Sequence, residues 1–255
     1  IKAGSYEVHG GITPWQLILK LSDGDVSQSG LLLVEGWTFR QVRQALESHP
    51  ELEADTAGLS DAEILARIGA SEKHLEGLFF PDTYLFDKRS GALAVLKRAY
   101  GAMHAQLERT WAERDPATPL ASPYEALILA SIIEKETGRP EDRALVASVF
   151  SNRLRIGMRL QTDPSVIYGL GPDFDGRLRR SHLDTDHPWN TYTRAGLPPT
   201  PIAIPGEAAL RAAVNPDKSE FLYFVARGDG SSEFSRNLAD HNRAVNKFIR
   251  NGGGR

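Results

Sequence analysis

The chain has 255 residues, 41% of them hydrophobic and 25% charged, with a formal net charge of -3. This is ordinary globular composition, which excludes disordered and fibrous classes, and its slight acidity is the wrong sign for wrapping phosphate backbones, so nucleic acid is not an expected partner. Cysteine is absent, which removes disulfides, thiolate nucleophiles and Cys-ligated metals and leaves the compartment open.

Residues 1–8 read as the end of a strand. Thr13, Pro14 and Gln16 then supply an N-cap, a proline at the first helical position and a capping-box partner, predicting a helix to Leu21. A polar turn over 22–25 precedes a buried strand over 30–34, and Thr38 caps a helix through Leu46. A soft domain boundary falls near Val26. The region 51–114 is mostly helical by period, interrupted at 78–86, where aromatic density and Pro81 predict an extended, packed loop. Ser122, Pro123 and Glu125 form another capped start, so a helix is expected over 123–137, apolar on every face and therefore packed all round at the middle of a domain. The next helix, 141–156, places Val146, Val149 and Phe150 on one side together with Arg153, a cation that wants an anionic partner. A strand over 158–162 leads to Asp163 as N-cap of a short helix through Tyr168. Beyond Gly169 the chain is loop-rich, with a helical turn at 181–184, an extended stretch at 188–193, a helix over 206–214, strands over 221–226 and 233–235, and a helix over 238–248. Residues 251–255 read as a frayed tail. The longest apolar run, 126–133, falls far short of the ~18 to 20 residues of a spanning helix. The chain begins at Ile1 rather than an initiator Met, so an upstream signal or anchor stays open.

Several chemistries lose support at once. The sequence carries no Gly-rich phosphate loop, no GxSxG elbow and no HExxH, and its seven histidines are scattered. No cofactor and no metal are expected. What remains is carboxylate chemistry beside hydrogen-bonding groups. Glu134 and Glu136 end the buried helix, where an ionised carboxylate is poorly solvated and its pKa rises, as a general acid requires. Two residues apart on a helix, they lie ~200° apart and cannot share one cleft. One should face a cavity, while the other pairs with a cation such as Arg153 or is solvated; periodicity does not say which. Asp163 has a capping role available, and Gln161, Asn190 and Tyr192 can serve turns as readily as ligands.

Three runs then carry a resemblance: ASIIEKET at 130–137, VASVFSNRLRIGMRLQTDPSVIYGLG at 146–171, and NTYTRAGLPPTPI at 190–202. Together with LVEGW at 33–37, FFPDTY at 79–84 and LYFVA at 222–226, the chain resembles the endolytic murein transglycosylases of the MltG, or YceG-like, family. The resemblance implies an α+β fold, helix-rich around the central buried helix with small β elements, in which 27–250 form the catalytic domain and 1–26 are the end of a LysM-like module. It implies Glu136, the second glutamate of the EKE triplet, as the catalytic residue. Glu134, Asn152, Gln161, Thr162, Asp163, Tyr168, Asn190 and Tyr192, all within the matched runs, are its candidate substrate-binding residues, and Trp189 could stack on a sugar ring. Ile204-Pro205-Gly206 departs from the Asn-Pro-Gly frequent in the family.

The activity so implied is internal cleavage of nascent peptidoglycan glycan strands between N-acetylmuramic acid and N-acetylglucosamine, leaving a 1,6-anhydro end and terminating elongation. Peptidoglycan synthases are the partners the family suggests. The location implied is a single-pass protein of the inner membrane, with this domain facing the periplasm and its anchor upstream of the chain. A muramidase would cleave the same bond with water and needs a second carboxylate, for which Asp163 is the best candidate. A glycan-binding module without turnover is the third reading.

Overall fold

The structure is a computed structural model that describes residues 6, 8–23 and 28–250. The boundary expected near Val26, the tail at 251–255 and most of the strand expected over 1–8 lie outside the described residues.

Helix α1 (Pro14–Asp23) opens on its capping box: the Thr13 amide donates to Gln16 Oε1 at 2.9 Å and the Gln16 amide to Thr13 Oγ1 at 3.3 Å. No residue of α1 is buried. Strand β1 (Gln28–Leu32) begins two residues earlier than the sequence pattern suggests, and its antiparallel partner β3 (Thr83–Asp87) comes from the segment expected to be loop. Alternation decides the matter: Leu31, Tyr84 and Phe86 point inward, while Leu32 and Leu85 remain exposed. Between them lie α2 (Phe39–Glu47), capped by Thr38, then β2 (Leu52–Glu53) and α3 (Asp61–Ile68). The short β4 (Ser90–Gly91) pairs in parallel with β2 and leads into α4 (Ala92–Ala112).

The core is organised by α5 (Pro123–Glu136). All of residues 126–133 are buried, against α4, α6 (Pro140–Arg155), α7 (Asp163–Leu170) and α9 (Glu207–Val214). A helix so enclosed can carry a polar group only if it is paired, and Ser131 is paired: its hydroxyl donates to the Ile128 carbonyl at 2.7 Å and accepts the Ile202 amide at 3.0 Å. That bond ties the segment 200–206 across α5, where Ile204 also exchanges backbone bonds with Gly36 and Trp37. Gly77 lies against the same segment with φ of 80°, and a Cβ there would meet Pro201 Cβ at 2.4 Å, so both backbone and space require glycine. The periphery comprises α8 (Arg180–Asp184), the antiparallel hairpin β5 (Tyr223–Ala226) and β6 (Ser232–Ser235), and α10 (Leu238–Val245), which continues as a π-helical turn over Asn246–Arg250. Among the described residues no helix is long and apolar enough to cross a membrane. The fold is α+β, with helices dominant and, among the described residues, three small sheets, each of two strands.

Candidate active site

The EKE triplet ends α5, and its three side chains reach three different segments. Glu134 accepts the Gly206 amide at 3.0 Å, Lys135 donates to the Gly36 carbonyl at 3.1 Å, and Glu136 accepts the Thr162 hydroxyl. The two glutamates therefore diverge, as helical geometry requires. Glu134 fastens the start of α9, beside the Glu35 carboxylate; burial raises its pKa, the Gly206 bond opposes this, and Glu35 adds to the rise. It holds two parts of the fold together, a role quite different from pairing with Arg153.

Glu136 keeps part of its surface open while its carboxyl sits deep. Burial pushes the group up to about 7; the Thr162 bond and the Arg153 cation pull it down, and the Asp163 carboxylate pushes it further up. Its place at the C-terminal end of α5, where helix dipoles point their negative end, works in the same direction as burial. Arg153 is buried, and its guanidinium donates to the carbonyls of Leu222 at 2.7 Å, Leu160 at 2.7 Å and Arg159 at 3.3 Å, with the Tyr223 ring 5.2 Å away. The anionic partner expected for this cation is replaced by carbonyl dipoles. Its charge reaches Glu136 without an ion pair, so the acid is neither neutralised nor immobilised by it.

Thr162 and its neighbours form a hydroxyl cluster behind the acid. The Thr162 amide donates to Thr191 Oγ1 at 3.0 Å, and Ser165 Oγ lies 2.9 Å from Thr191 Oγ1 and donates to the Thr162 carbonyl at 2.9 Å. Thr162, Ser165 and Thr191 are all buried. The strand expected over 158–162 does not form, because Gln161 adopts a left-handed φ of 50° that turns the chain into α7. This shifts the cap by one residue: Thr162 is the N-cap and Asp163 the first helical residue. Asp163 is exposed, and its carboxylate accepts the Tyr192 hydroxyl. Glu136, Thr162, Asp163 and Tyr192 thus form one connected group, with the exposed Gln161 at its edge.

The remaining candidates lie elsewhere or are otherwise engaged. Asn190 is fully buried, and its amide donates to the carbonyls of Thr185 at 2.7 Å, Leu183 at 3.0 Å and His182 at 3.2 Å while accepting the Tyr192 amide at 2.8 Å. It builds a turn where the pattern predicts an extended stretch, and it has no donor left for a sugar. Asn152 donates to the carbonyls of Ser219 at 2.9 Å and Phe221 at 3.0 Å, stitching α6 to the approach to β5. Tyr168 faces the buried Glu76 carboxyl, and Trp189 packs edge-on against it at 5.7 Å with its Nε1 donating to Thr200. Glu76 accepts the Phe39 amide at 2.9 Å, and burial pushes its pKa up to about 7. Sequence reasoning missed Glu76, Thr191 and Ser165. A charge set between Leu75 and the apolar run from Leu78 was a signal for the first; isolated hydroxyls gave none for the others.

The fold and this group define an α+β protein that carries a buried carboxyl, Glu136, at the end of its central helix. The chain belongs to the YceG-like family, whose model matches residues 1–247. It is similar to the endolytic murein transglycosylase of Bacillus subtilis, 33% identical over 97% of this chain and 73% of that protein. It is also similar to the endolytic murein transglycosylase of Streptococcus pneumoniae, 27% identical over 98% of this chain and 51% of that one, so it spans about half the pneumococcal protein. A crystal structure of a yceG-like protein from Listeria monocytogenes superposes with a TM-score of 0.69 at 31% identity, covering 93% of this chain and 83% of that one.

Proposed function

We propose that this chain is an endolytic peptidoglycan transglycosylase with Glu136 as its acid and base. The observation that carries the reading is a buried carboxyl at the end of α5, held by the Thr162 hydroxyl and, among the described residues, free of any ion pair, so that burial raises its proton affinity. Because Thr162 donates to Oε1, the proton of the acid form belongs on Oε2, the oxygen left free for substrate. Glu136 gives this proton to the bridging oxygen as the muramoyl C1–O bond breaks. The muramoyl O6 then bonds to C1, and its hydroxyl proton returns to Glu136, giving the 1,6-anhydro end with no water consumed. Asp163 supplies a negative charge beside a centre that becomes cationic, and Tyr192 fixes its orientation. The names of the Bacillus and pneumococcal relatives support the substrate class.

Replacing Glu136 by Gln should abolish release of anhydro-muropeptides from purified glycan while the circular dichroism spectrum is retained; undiminished product refutes the proposal. The presence of Asp163 beside Glu136 favours one second reading, a muramidase, since a hydrolase uses two carboxyl groups. Mass spectrometry separates them, because a hydrolysed end is heavier than an anhydro end by one water. With this substrate the chain works outside the cytoplasmic membrane, with 27–250 as the catalytic unit after a LysM-like remnant, an upstream membrane anchor, and synthases as companions.

A further inference from the structure

On the Tyr192 side of this group, the segments leading into α7 and out of α8 line a pocket of about 360 Å³ whose walls include Arg159, Gln161, Arg180, Asp184 and Tyr192. Tyr192 is a shared wall, since its hydroxyl bonds Asp163, the neighbour of the threonine that holds Glu136.

The arginines around this pocket are not equivalent. Among the described residues, Arg179 pairs with Asp175, Arg180 with Asp184 at 3.0 Å and Arg194 with Asp186 at 2.8 Å. Arg159 has no carboxylate partner among the described residues: it donates from one terminal nitrogen to the Tyr192 carbonyl at 3.0 Å, and its side chain is exposed. The carbonyl bond fixes the guanidinium plane and leaves N–H groups of its fork unused, an arrangement matched to a carboxylate. Gln161 adds an exposed amide, held at the rim by a left-handed backbone that a non-glycine residue adopts at a cost of about 1 kcal/mol. Neither the Glu136 chemistry nor the packing of the core uses these two side chains.

We propose that this pocket receives a carboxylate borne on the O3 substituent of a muramoyl unit, with Arg159 as its charged anchor and Gln161 as a neighbouring amide donor. This rests on the glycan-strand reading above and adds to it a demand on the substrate. A muramoyl residue carries a lactyl ether that ends either in a free carboxylate or in a peptide bearing one, whereas a chitin-type strand has neither. The pocket therefore distinguishes the two polymers by charge, close to the bond that breaks.

The test measures dissociation constants with Glu136→Gln protein, which binds without turnover, for three probes: stem-bearing glycan strands, strands stripped of stems by an amidase so that the lactyl carboxylate is free, and chitohexaose. The two charged strands should bind about tenfold tighter than chitohexaose, and Arg159→Gln should bring that ratio close to one. Arg159→Lys should keep part of the preference, with a steeper loss in added salt. Whichever charged strand loses more identifies the lactyl or the stem carboxylate as the occupant. Equal weakening for all three probes, or an unaltered ratio, overturns the proposal. An unaltered ratio together with anhydro product from the wild-type chain overturns it alone, whereas absence of both binding and product removes the glycan-strand reading as well.

Discussion

At the scale of single residues, Glu136 sets the pH dependence. A carboxyl with a pKa of about 7 is in its acid form below that pH and loses its proton above it, so kcat/KM should be flat on the acid side and fall about tenfold per pH unit above 7. A pH–rate profile checks this; an alkaline limb beginning near pH 4.5 would show that burial does not hold the proton on Glu136. Thr162 controls the same limb, because its donated hydrogen bond favours the ionised form and lowers the pKa. Thr162→Val should move the alkaline limb to higher pH and reduce kcat by roughly tenfold to a hundredfold, since the carboxyl loses its fixed orientation. KM should change little, as Thr162 is buried and bonded to Glu136 rather than open to sugar. A pH profile identical to wild type would show that the hydroxyl is only packing.

At the scale of elements, α5 places the acid and α7 answers it, so packing around α5 governs both stability and geometry. Leu129 is fully buried there, and Leu129→Ala should cost about 2–5 kcal/mol in urea-melt stability. The position of α5 was legible because Ser122, Pro123 and the uninterrupted apolar run agree on start, length and burial. The β1–β3 pair was only half legible. Alternation marks Tyr84 and Phe86 as inward-facing, but a two-stranded pairing across more than 50 residues, as in Ser29 with Phe86 and Leu31 with Tyr84, depends on which surfaces meet in three dimensions. The turn at Gln161 was illegible for a local reason, since glutamine carries no preference for a positive φ and the bend is imposed by the Thr191 carbonyl accepting its amide at 3.1 Å. Glu136 stood out as an acid at the end of an apolar helix, while its choice over Glu134 came from family resemblance, because helical spacing separates the two without ranking them. Asn190 misled for the opposite reason: an amide in a loop signals a ligand site or a turn equally well, and only its three carbonyl partners decide for the turn.

At the scale of the molecule, two carboxyls held near pH 7, Glu76 and Glu136, couple folding to pH. Each has a folded pKa above the unfolded value of about 4.5, so the folded state binds the proton more tightly. Their stabilising contribution is complete below pH 4.5, declines as pH rises towards 7, and is absent above it. A shift of this size corresponds to on the order of 3 kcal/mol per group. His187 and His241 act in the opposite sense, because burial depresses their pKa and their contribution is lost as pH falls. The wild-type stability curve therefore mixes both signs, and differences between variants isolate the carboxyls. Glu136→Gln removes one buried ionisation and keeps a group that can accept the Thr162 bond. It should be more stable than wild type by about 3 kcal/mol at pH 8 and nearly equal to it at pH 4.5. Glu76→Gln should show the same pH trend with a smaller gain, because an amide offers a single acceptor oxygen where the carboxyl takes bonds from the Phe39 and Gly77 amides and the Tyr168 hydroxyl. Urea melts of wild type and both variants at pH 4.5, 6 and 8 measure these differences directly. A constant offset across the three pH values would mean that neither acid holds its proton in the folded chain, and the donor assigned to Glu136 would lose its physical basis.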